Sequence, residues 1–129
     1  MSKKCPEGFL CEIKYDGDRI HIHKKTTGGK STIAYYSRSQ KPTSADKLGD
    51  LGGVIEEALT EFSSVVLDGE ILMVDKEGKP LAFGTINKHK KKQFPDAKEA
   101  VIIFDILFLN GVSLISYPMR KRRRILEKV

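Results

Sequence analysis

The chain reads as an α+β fold, mainly antiparallel sheets with flanking helices. Runs that alternate apolar and polar residues, such as Arg19 to Lys25, suit strands with one buried face. Short turn pairs, Asp16-Gly17, Gly28-Gly29 and Asn110-Gly111, separate such runs and send the chain back antiparallel. Two further stretches, Leu48 to Leu59 and the segment after Pro118, carry apolar residues at helical spacing.

Taken in order, Phe9 to Lys14 is the first expected strand, with Phe9, Cys11 and Ile13 on one face and Glu12 with Lys14 on the other. Asp16-Gly17 then makes a hairpin-like turn whose glycine supplies a positive φ, placing Lys14 and Arg19 on its two limbs. In the next strand Ile20 and Ile22 share one face, and Arg19, His21 and His23 the other. Both histidines are read as solvated, since no cysteine or carboxylate lies at ligand spacing beside them. Thr27 to Lys30 closes a hairpin into a strand from Ser31 to Ser37, which ends at Tyr36-Ser37-Arg38-Ser39. A helical region is expected from Thr43 or Ser44 to about Phe62, weakened at its start by Gly49, Gly52 and Gly53.

Ser64 to Val74 is the clearest strand. Alternation puts Asp68 and Glu70 on one face of an otherwise apolar run. Burying two like charges costs on the order of several kcal/mol unless partners meet them, so a lysine, an arginine, a metal or a ribose hydroxyl is expected there. Ala100 to Leu109 is a second apolar strand broken by Asp105, and Phe104 within it suits either a core or a surface that stacks on a base. Pro118 opens a helix running to Val129, with Leu126 and Val129 on its apolar side.

The 129 residues allow one domain with a single core. Hydrophobic residues make up 40% and charged residues 31%, a globular balance. No apolar run reaches membrane-spanning length, and Met1 to Lys4 shows no apolar signal region. Cys5 and Cys11 form no disulfide framework, so an intracellular location with reduced thiols is expected. The net charge of +6 is concentrated in Lys88-His89-Lys90-Lys91-Lys92 and in Arg120 to Arg124, which suits a polyanionic partner or, equally, two solvated helix faces.

One motif carries chemistry. Glu12-Ile13-Lys14-Tyr15-Asp16-Gly17-Asp18-Arg19 resembles the lysine signature of the covalent nucleotidyltransferases: DNA ligases, RNA ligases and mRNA capping enzymes. Three further elements follow in that order: Tyr36 to Ser39, Val66-Leu67-Asp68-Gly69-Glu70, and Phe104 to Gly111. Together they resemble the ATP-dependent DNA ligases and cover nearly the whole chain. Lys3 to Pro6, Tyr36 to Pro42 and Pro80 to Thr85 are most similar to the DNA ligase III branch of that family.

The resemblance implies a nucleotidyltransferase, ATP-grasp-like ligase domain that seals nicks in duplex DNA through a lysyl-AMP intermediate. Lys14 would attack the α-phosphate of ATP, and the chemistry needs an uncharged amine. A free lysine near pKa ~10.4 is almost all protonated at neutral pH, so such a site must favour the neutral form through cations or desolvation. The resemblance also implies that Arg19 and Glu70 hold the ribose, that Glu12 lies at the adenine edge and that Phe104 stacks on its face. It assigns Arg38 to a phosphate of nucleotide or DNA, Glu70 to the side facing Mg²⁺, and Lys88, Lys90, Lys91 and Lys92 to the DNA backbone.

The family's Glu-Gly strand ending in lysine and its later lysine pair do not occur before Val129. Residues 1–129 are therefore expected to be one partial adenylation domain, without the DNA-binding and OB-fold domains. The pocket would be completed by the remaining ligase domains or by a second chain, and nick sealing by the chain alone would be weak or absent. An RNA ligase or capping enzyme, and a non-catalytic nucleic-acid-binding remnant of a ligase, are the alternative readings.

Overall fold

The computed structural model describes residues 8–82 and 94–129, the side chains of residues 46 and 47 excepted. Its frame is one six-stranded antiparallel sheet in the order β3-β2-β1-β4-β5-β6. The strands are β1 (Asp18–Thr27), β2 (Lys30–Ser37), β3 (Pro42–Thr43), β4 (Ser64–Val74), β5 (Lys98–Leu109) and β6 (Val112–Ser113). Helix α1 (Leu51–Ala58) follows a 3₁₀ turn at Ala45–Leu48, and α2 (Met119–Leu126) closes the described chain.

Turn chemistry is as the sequence predicts at two hairpins. Gly28 and Gly29 take φ of 58° and 77° between β1 and β2, and Asn110 and Gly111 take 44° and 87° between β5 and β6. The Asn110 carboxamide oxygen also accepts from the Ser63 amide at 3.0 Å, tying the end of β5 to the start of β4. The expected single helix before β4 is instead divided by Gly49 at φ 51°.

One face of the sheet carries the core. Ile20 and Ile22 of β1, Tyr35 of β2, Val65 and Leu67 of β4 and Ile106 of β5 are buried against Leu48, Ile55 and Leu59. Lys24 continues the Ile20–Ile22 face and is itself buried. Its ammonium donates to the carbonyls of Leu59, of Thr60 at 3.1 Å and of Phe62 at 2.8 Å, just beyond the end of α1. Those carbonyls have no partners within the helix, so the buried charge is met by the negative end of the α1 dipole. From α2, Ile125 and Leu126 reach the same core, whereas Val129 is 41% exposed and lies past the helix end.

The strand expected at Phe9–Lys14 does not form. Strand β1 bonds β2 along one edge and β4 along the other, so neither edge is open to it. Phe9 and Ile13 are each 73% exposed. Asp16-Gly17 is accordingly a bend leading into β1, not a hairpin between two strands.

Candidate active site

Several of the expected site residues gather at the end of the sheet where β1 begins. Register sets Arg19 opposite Glu70 and Ile20 opposite Ser37, so Arg38, next after Ser37, leaves the sheet at the same end as Arg19. Arg38 is exposed on the turn between β2 and β3.

Glu70 organises the approach to Lys14. Its Oε1 accepts the Gly17 amide at 3.1 Å, pinning the bend to β4. Glycine is required there, although its φ is not positive. A Cβ on Gly17 would stand 2.1 Å from the Ile71 carbonyl oxygen, so any side chain would force the bend off the strand. Gly69 is constrained in the same way, its Cβ position lying 2.7 Å from the Ile102 carbonyl oxygen. Lys14 itself is exposed, and three residues of chain keep its Cα within about 11 Å of the pinned Gly17.

Arg19 turns from its direct neighbour Glu70 to the diagonal Asp68. Nε donates to Oδ1 at 3.0 Å and Nη2 to Oδ2 at 2.5 Å, a bidentate pair that pushes the Arg19 pKa further up. Asp68 is 6% exposed and Arg19 41%, so the pair keeps one flank open to a ligand. The arginine partner expected for the Asp68–Glu70 face is thus found at Asp68. His21 and His23 are half-buried rather than freely solvated: His21 sits 13% exposed against Asp68, and the His23 ring meets Tyr36 edge-on at 4.8 Å. Burial, and next the charge of His21, push the His23 pKa down.

Phe104 is half-buried as the residue that β5 skips between its partners for Asp68 and Gly69, a bulge beside the Asp68–Glu70 stretch. Glu12 is paired with Arg123 of α2. The second basic cluster is partly engaged within the fold. Arg122 donates from Nε and Nη2 to Asp105 at 2.9 Å each and from Nη1 to the Tyr117 carbonyl at 2.7 Å. The Lys121 ammonium lies 3.8 Å over the Tyr117 ring. Lys88, Lys90, Lys91 and Lys92 lie outside the described residues. Sequence reasoning missed Gln40, His21 and Arg122, whose partners follow only from register and from the placement of α2.

Two arginines and a carboxylate at one end of an antiparallel sheet, with a lysine a short stretch of chain away, are groups that suit a phosphorylated ligand. The chain belongs to the ATP-dependent DNA ligase domain family, whose model, described as "ATP dependent DNA ligase domain", matches residues 1–129. It is 47% identical over 126 residues to DNA ligase 3 of Dictyostelium discoideum, covering 97% of this chain and 10% of that protein. It is 41% identical over 126 residues to the DNA ligase of Fowlpox virus (97% of this chain, 22% of that protein) and 37% identical over 127 residues to that of Monkeypox virus (98% and 22%). Among solved structures, mycobacterial DNA ligase D complexed with ATP and MES superimposes with a TM-score of 0.69 at 28% identity, covering 91% of this chain and 35% of that one. The chain therefore spans roughly a tenth to a fifth of the length of these curated relatives. The α+β antiparallel architecture expected from sequence is that of the ligase domains it resembles.

Proposed function

We propose that this chain supplies the nucleotide-accepting part of an ATP-dependent DNA ligase, with Lys14 as the residue that takes up AMP. The observation that carries the reading is the clasp of Glu70 on Gly17, which fixes the bend after Lys14 beside Arg19 and at the same sheet end as Arg38. The Lys14 amine forms a bond to the α-phosphorus of ATP. The bond from that phosphorus to the bridging oxygen breaks, pyrophosphate leaves, and the amine gives up its proton. Arg38 draws the phosphates, while the open flank of Arg19 and the second oxygen of Glu70 face the ribose. Phe104 offers a ring beside this stretch for the base. AMP then passes to the 5′-phosphate of a nick in duplex DNA, and the 3′-hydroxyl closes the strand.

Among the described residues no group of three or more His, Cys, Asp or Glu side chains is placed to hold a metal ion. Mg²⁺ would be held chiefly by nucleotide phosphates, with Glu70 as the carboxylate on its side. When bound, Mg²⁺ neutralises phosphate oxygens. Lys88, Lys90, Lys91 and Lys92 would follow the DNA backbone without sequence preference, in an intracellular protein.

Intact-protein mass after incubation with ATP and Mg²⁺ tests the reading. One added AMP is expected on the native chain and none on Lys14→Ala. Equal labelling of both would remove Lys14 from the chemistry. No labelling of either would reduce the chain to a binding role.

A further inference from the structure

His21 has no part in the roles above, and its surroundings give it one. Its imidazole is half-buried on the face that carries Arg19, with Nε2 the covered atom, yet both ring nitrogens look at polar groups. Nδ1 lies 3.2 Å from the side-chain nitrogen of Gln40. With the Gln40 amide nitrogen as the donor, Nδ1 accepts, and a neutral ring then carries its proton on Nε2. Nε2 lies 3.2 Å from Asp68 Oδ1, out of line for a hydrogen bond, and has no hydrogen-bond partner among the described residues. A buried N–H without an acceptor costs free energy, and a small ring rotation onto Asp68 removes that cost.

Asp68 Oδ1 therefore faces two donors, Arg19 Nε at 3.0 Å and His21 Nε2. The other charged or titratable groups near it are accounted for. Glu70 holds Gly17, Asp105 opposite Asp68 is taken by Arg122, and the His23 ring is 6.5 Å from that of His21. What remains is one line of contacts, Gln40–His21–Asp68–Arg19. It starts on the turn that carries Arg38, crosses β1 to β4, and ends on the arginine at the mouth of the site.

We propose that His21 is a positioning residue. By bridging Gln40 to Asp68 it sets the angle at which Arg19 meets the nucleotide and holds the Arg38 turn in step with it. The role rests on the ATP reading of this site, and its test has one readout that does not.

That readout is NMR of the whole 129-residue chain. Long-range ¹H–¹⁵N correlations are expected to show His21 as the Nε2–H tautomer. Gln40→Asn, tolerated at φ 61° but too short to reach the ring, is expected to weaken that preference. The Arg19 Nε–H signal should move in His21→Phe and return in His21→Gln, whose amide can serve both neighbours. With ATP, His21→Phe is expected to raise the KM for AMP uptake about tenfold while the maximal rate changes less than about threefold, and His21→Gln to restore KM to within about twofold. A melting curve checks that each variant is folded. If His21→Phe does not fold, Gln40→Asn and His21→Gln carry the comparison.

An Nδ1–H tautomer overturns the relay whether or not AMP is taken up. So does an Arg19 signal indifferent to a folded His21→Phe, or equal KM losses in the Phe and Gln variants. The expected NMR pattern in a chain that takes up no AMP overturns the nucleotide reading instead and leaves the relay standing.

Discussion

Asp68 and Asp105 stand opposite each other across β4 and β5, and each is gripped by one arginine through two bonds. Two carboxylates at facing positions repel, so both pairs are needed for the strands to meet in this register. Their surroundings nevertheless differ. Arg122 is 17% exposed, with its third donor on the Tyr117 carbonyl, and welds α2 to the sheet. Arg19 is 41% exposed and stands at the sheet end that also holds Glu70 and Arg38. Under the proposed function the same ion pair is a staple in one place and a ligand-facing device in the other, and the exposure of the cation separates them.

Removing each cation sharpens this contrast. Arg122→Met is expected to cost about 3 kcal/mol in urea unfolding, because it leaves the half-buried Asp105 without a counter-charge. A loss below about 1 kcal/mol would mean that α2 is not held by this pair. Gly17→Ala comes next, at about 1–3 kcal/mol, since the added Cβ meets the Ile71 carbonyl. AMP uptake should fall with it, and unchanged uptake would show that the bend need not stay pinned. Arg19→Met should cost less, about 1–2 kcal/mol, because Arg19 is the more exposed cation of the two, while the KM for ATP rises. Equal stability losses for Arg19→Met and Arg122→Met would erase the distinction between the pairs.

The smallest effect is a pH response on the open side. The folded His23 has a pKa below its ordinary 6.5, chiefly through burial. As pH falls below 6.5 the unfolded chain binds this proton before the folded one does. The contribution is thus fully present above 6.5 and is lost as pH drops toward the folded value. Both arginine pKa values are pushed up, so neither ion pair loses its cation in this range. Melting temperatures from pH 7.5 to 5 should fall more steeply for the native chain than for His23→Gln, and parallel curves would exclude the histidine.

Much of the frame was readable before the fold was known. The strand expected at Ser64–Val74 has those bounds in β4, and the Gly28-Gly29 and Asn110-Gly111 turns lie where glycine and asparagine predict them. The lysine motif and the elements that follow it pointed to the family to which the chain belongs. The run from Phe9 to Lys14 was misread because its alternation satisfies a strand pattern but says nothing about whether a neighbouring edge is free. The positive φ expected at Gly17 is not there; what its place demands is room for the close approach of the Ile71 carbonyl, which no local pattern shows.

The division has a physical basis. Alternation, turn residues and the order of the motifs depend on neighbours a few positions apart, so sequence alone determined the four long strands, the Gly28-Gly29 and Asn110-Gly111 turns and the ligase family. Partnerships across the sheet depend on register. A slip of one residue would turn every side chain to the other face, so only the assembled sheet decided that Arg19 takes Asp68, that Arg122 takes Asp105 and that Glu70 closes on Gly17.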